Sequence, residues 1–176
     1  MTRGMTMDDN FDFAQWAEKN SSGDPEEVMN SQDRDGNIPL VVGLSKAESN
    51  EDIIPIIERI VTTSDCIHAV KWDLQEKGDE PRSMGELVRE KFSILSKASQ
   101  QKILDAQLLY YVRKNKVSDV RDLLGLGANF SYKDDAGQSV FDQLALVYSS
   151  YLKDVTQPVC RTILRLRSLN SHPHHP

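Results

Sequence analysis

The most reactive side chains in this sequence lie in Asp65-Cys66-Ile67-His68, where a thiol and an imidazole stand two positions apart. A cysteine nucleophile works as a thiolate beside a base, with a third group to orient the base and donors for an oxyanion. Residues two apart do not face one another on a helix, and no orienting group or oxyanion donor is legible nearby. The expectation is therefore a buried thiol beside a surface histidine. His172, His174 and His175 offer imidazoles in the last residues, but prolines interrupt them, which allows an adventitious metal site at most. Asp33-x-Asp35-x-Asn37 has the opening of a calcium loop. The pattern then fails, because Ile38 stands where the loop needs glycine and Leu44 where it needs the closing glutamate. There is no Gly-rich phosphate loop, Walker-type lysine or dinucleotide fingerprint. Arg113-Lys114-Asn115-Lys116 is basic but lacks interleaved aromatics for nucleobases, so it reads as a solvated turn. No enzyme, cofactor or metal is expected.

Composition narrows the class further. The chain has 176 residues, 39% hydrophobic and 27% charged, enough for a folded domain with its own core. Its net charge of −6 argues against a general nucleic-acid binder. The charge is uneven: residues 1–35 hold three basic and nine acidic side chains, whereas 101–176 hold ten basic and seven acidic. The two cysteines, Cys66 and Cys160, have neither a zinc spacing nor the density of a disulfide framework, which favours reduced, cytosolic thiols. No apolar run reaches the length of a membrane span, and no apolar segment follows Arg3 as a secretory signal would require. A cytoplasmic protein is expected; delivery into a host cell without a signal peptide is compatible with the same features.

Helical periodicity recurs along the chain. Phe11, Phe13, Trp16 and Ala17 form an apolar patch suited to a capping helix inside a flexible segment 1–23. Asp24-Pro25-Glu26-Glu27 is a helix start: an acceptor at the N-cap, proline at the first helical position, then acids at the positive dipole end. Leu40 to Leu44 predicts a short helix. Ile53 to Val61 predicts a denser one, with Pro55 in its first turn. Ile67, Val70, Trp72 and Leu74 suggest an irregular helix, and Gln75 to Arg82 a charged turn. Ser83-x-x-Glu86 is a capping box for the next helix. Ile103, Leu104, Leu108, Leu109 and Val112 predict a helix over 100–114, with Ser99 as half a cap. Val117, Val120, Leu123 and Leu124 make one stripe of a short helix that Gly127 ends. Val140 to Tyr151 predicts another, and a last one follows Asp154 or Thr156 before a disordered tail at 169–176.

Two stretches share a more specific pattern. Residues 112–144 carry Val120-x-x-Leu123-Leu124, Gly127-Ala128 and Asp134-x-x-Gly137 without a gap, with Asn115 preceding them; residues 33–40 carry Asp33-x-x-Gly36-x-Ile38-Pro39-Leu40. Both resemble the ankyrin repeat, in which a turn leads into an inner helix and an outer helix returns. Asn115 stands for a family glycine, Ile38 for its threonine, and Ser139, Val140 and Phe141 for its Thr-Pro-Leu. Gly36 and Gly137 are 101 residues apart, close to three periods of about 33 residues.

The resemblance implies an all-α fold: a short α-solenoid of about four ankyrin-like helix–turn–helix repeats over 24–168, with residues 64–98 as a degenerate middle repeat. It implies non-catalytic binding of another protein by an adaptor, regulator or effector, through projecting turns and the concave face. The positions matching that role are Gln32, Arg34, Asp35, Tyr132, Lys133, Asp135, Gln138 and Asp142. Tyr132 is the strongest contact candidate, since an aromatic turn residue offers large area at low entropy cost. Asp33, Gly36, Asp134 and Gly137 are assigned to turn geometry. The expected state is a monomer or part of a hetero-complex, without nucleic acid or membrane. The alternative is an inhibitor or immunity-type protein that blocks one cognate partner, with an unread small all-α enzyme behind it.

Overall fold

The computed structural model describes residues 23–134, 136–150 and 165. The expected capping helix at Phe11–Ala17, the turn residue Asp135, the helix after Asp154 and the tail lie outside the described residues. The chain divides into two compact units, Met1–Ile103 and Leu104–Pro176. Among the described residues all regular structure is helical, and the only β-pairing is two isolated bridges. No helix among them is long and apolar enough to cross a membrane.

In the first unit, α1 (Pro25–Met29) starts as its sequence predicts: the Asp24 carboxylate accepts from the Glu26 amide at 3.0 Å, and Pro25 occupies the first turn. α2 (Pro39–Ala47) buries Leu40, Val41, Leu44 and Ala47, while Gly43 keeps that face small. A 3-10 turn (Glu51–Ile53) leads into α3 (Ile54–Thr62), whose Pro55 sits where a missing amide costs nothing. α3 buries Ile57 and Val61, four residues apart on one face. α2 packs on α3, so two short helices that are marginal alone cover each other. Truncating fully buried Leu44 or Ile57 to alanine costs about 2–5 kcal/mol.

α4 (Ser64–Ala69) packs against α1 and α3. The expected irregular helix through Leu74 stops at Ala69. Asn30 supplies the reason, since its side chain donates to the Ala69 carbonyl at 2.9 Å and accepts from the Lys71 amide at 2.6 Å. Those backbone groups are thus taken by a side chain 39 to 41 residues away rather than by another helical turn. Val70 turns extended, and Trp72 beyond it is fully buried. After a hairpin at 75–83, α5 (Met84–Lys91) begins on the predicted capping box. Ser83 Oγ accepts from the Glu86 amide, and the Glu86 carboxylate accepts from the Ser83 amide at 2.9 Å. α5 packs on α2.

α6 (Lys97–Arg113) follows a 3-10 turn at Phe92–Ile94. Its cap is Ser96, not Ser99: Ser96 Oγ accepts from the Ser99 amide at 3.2 Å, so the helix opens at Lys97, three residues before the expected start at 100. Glu58 of α3 also meets this end of the helix. Its carboxylate accepts from the Ser96 amide at 2.6 Å, from Ser96 Oγ at 3.0 Å and from Ser99 Oγ. A carboxylate there also complements the positive end of the helix dipole.

In the second unit, α6 and α7 (Val117–Gly125) end alike. At the end of α6 the Asn115 amide donates to Val112 and the Lys116 amide to Tyr111, both at 3.0 Å. At the end of α7 the Gly127 amide donates to Leu124 at 3.2 Å and the Ala128 amide to Leu123 at 3.0 Å. Each is a Schellman cap closed by a left-handed residue, φ +54° at Asn115 and +95° at Gly127. Asparagine tolerates that conformation best after glycine. The Asn129 amide then donates to the buried Asp105 carboxylate of α6 at 2.6 Å, fixing the loop into α8 (Val140–Ser150).

Candidate functional site

The turn at Asp33 is built from its own side chain. Asp33 Oδ1 accepts from the Asp35 amide at 3.0 Å and from the Asn37 amide at 2.7 Å, while the Asp33 amide donates to the Asn37 carbonyl at 3.0 Å. Gly36, at φ +88°, donates back to the Asp33 carbonyl at 3.2 Å. The carboxylate is thus occupied by backbone amides, which is turn chemistry. Among the described residues no three His, Cys, Asp or Glu side chains are grouped to hold a metal ion.

The turn at Asp134 repeats three of these four hydrogen bonds. Asp134 Oδ1 accepts from the Gln138 amide at 2.8 Å, the Asp134 amide donates to the Gln138 carbonyl at 3.0 Å, and Gly137, at φ +70°, donates to the Asp134 carbonyl at 2.9 Å. One addition is an ion pair at 2.9 Å between Asp134 Oδ2 and Arg113 Nη2 at the end of α6. Within the basic run, Arg113 is therefore paired, while Lys114 Nζ lies 5.6 Å from the Tyr110 ring centroid.

A third hairpin of the same plan, expected from its residues only as a charged turn, falls between them in chain order at 75–83. Gln75 and Ser83 form an antiparallel bridge, as Lys133 and Ser139 do. The Glu76 amide donates to the Arg82 carbonyl at 3.1 Å, just as Asp134 does to Gln138. Each of the three turns runs into a helix, at Pro39, Met84 and Val140. The middle one escapes notice because residues 76–82 separate its bridged pair where 134–138 suffice in the last, so the Asp-x-x-Gly spacing is lost.

The first two hairpins are joined edge to edge. The Lys77 amide donates to the Asp35 carbonyl at 3.0 Å, and Gln32 Nε2 reaches the Gln75 carbonyl at 3.4 Å. Gly36 has a second reason to be glycine here: a Cβ would stand 2.9 Å from the Lys77 nitrogen.

The predicted contact residues divide by what they already hold. Gln32 is exposed but donates to the Gly36 carbonyl, bracing its own turn. Gln138 accepts from Gln143 Nε2. Asp142 accepts from the Ser139 amide and from Ser139 Oγ, both at 2.7 Å, and its own amide returns to Ser139 Oγ at 3.3 Å. Ser139-x-x-Asp142 is thus a capping box for α8, a spacing legible in the sequence. The Ser139 hydrogen bonds hold the Asp142 carboxyl below the usual range, with Lys133 adding to the effect. Arg34, Asp35 and Lys133 are exposed, and Tyr132 is half-buried. Gln32, Arg34 and Asp35 belong to the first unit, Tyr132, Lys133, Gln138 and Asp142 to the second.

Cys66 and His68 both lie on α4, two residues and so about 200° apart around the helix axis. Burial first, and the neighbouring Asp65 charge second, push the Cys66 thiol up. Both influences reduce its thiolate fraction near neutral pH.

Comparison with protein-family models, curated proteins and solved structures finds no match.

Proposed function

We propose that this chain is a non-catalytic protein-binding module of ankyrin-like hairpin–helix units, which engages another protein through its turn tips and the starts of the helices that follow them. The observation that carries this reading is the recurrence of the same three hydrogen bonds and a positive-φ glycine in the turns that open at Asp33 and at Asp134. The edge-to-edge bond between Lys77 and Asp35 and the packing of α5 on α2 support it, because stacked repeats bury their helix faces against neighbours in this way. Such stacking leaves polar tips outward on a braced backbone, a surface that binds with little ordering cost. Asp35, Lys133, Tyr132 and Arg34 are the contacts on which the proposal rests most.

The test is affinity capture from lysate with the wild type beside Tyr132→Ala/Lys133→Ala and Arg34→Ala/Asp35→Ala, all matched by circular dichroism and melting. A protein retained by the wild type and lost from either folded variant supports the turn tips as the surface. Equal retention by all three moves the site away from the turns. A single retained partner of strong basic charge, released by salt, favours the inhibitor alternative, in which the acidic residues 1–35 contribute.

A further inference from the structure

We draw no further inference here: the strongest candidate, the exposed basic turn at 113–116 leading into the N-terminus of α7, which has no side-chain cap, is a helix N-terminus beside surface cations, and no second feature of the structure points to a ligand there.

Discussion

The Lys77 amide and the Asp35 carbonyl, 42 positions apart in the chain, share a 3.0 Å hydrogen bond that ties the tip of one hairpin to the base of the next. The contact exists only because Gly36 presents no Cβ, which would stand 2.9 Å from the Lys77 nitrogen. Gly36→Ala therefore meets two obstacles, a positive φ and an immovable backbone neighbour. Gly137, also at positive φ, has open space around its Cα and meets only the first. Gly137→Ala is expected to cost about 1–2 kcal/mol, the usual penalty of a left-handed non-glycine residue, and Gly36→Ala clearly more. Urea denaturation of both variants measures this. Equal losses would mean that Lys77 does not pack against Gly36.

Glu58 makes stability depend on pH. Burial raises its pKa, but the hydrogen bonds from Ser99 and Ser96 outweigh burial, so the folded value lies below the ordinary one. A depressed folded pKa stabilises above the unfolded value, and that contribution is lost as pH falls through the folded value. The wild type should therefore lose melting temperature below about pH 4. Glu58→Gln should be less stable at neutral pH and show a shallower acid loss. Parallel acid slopes in the two proteins would remove Glu58 from this role.

The Ser83–Glu86 capping box should be cooperative. Ser83→Ala is expected to cost about 1 kcal/mol, and Glu86→Ala should cost little more in that background, because the two hydrogen bonds are reciprocal. A double-mutant cycle on unfolding free energies reads the coupling. Strict additivity would show that the box contributes nothing as a unit.

Cys66 should react slowly with a neutral-pH thiol reagent, since burial and Asp65 both raise its pKa. In a Cys160→Ser background, labelling by a disulfide reagent at pH 7.5 should be slower than for a free thiol, should accelerate as pH rises, and should become fast in urea. Rapid labelling of the folded protein would mark Cys66 as an activated thiol and revive a nucleophilic role.

The second unit carries a similar local dependence. Asn115 closes the Schellman cap of α6 at φ +54°, so Asn115→Gly should leave stability unchanged or raise it, whereas Asn115→Val should lower it by about 1–2 kcal/mol. Thermal melts of the two variants give the comparison. Similar melting temperatures would contradict the left-handed conformation.

What was legible in the residues was short-range. The Asp24-Pro25 start, the Ser83 box, the Gly127 stop and the paired Asp-x-x-Gly turns at 33 and 134 are each made of bonds spanning at most five positions, so side-chain type and spacing alone specify them. The Ser139-x-x-Asp142 box belongs to the same class; it makes a cap ligand of Asp142, which the ankyrin resemblance suggested as a partner contact.

The sequence by itself determined that the described residues would be helical and where several of those helices begin, at Pro25, Met84, Val117 and Val140. Only the tertiary structure decided that Asn30 stops α4 at Ala69, that Glu58 clamps the first turn of α6, and that the hairpin at 75–83 docks on the turn at 33–37. Each depends on groups 38 to 43 positions apart. Such pairings form only after helix packing has fixed which segments are neighbours, and nothing in local spacing encodes that choice.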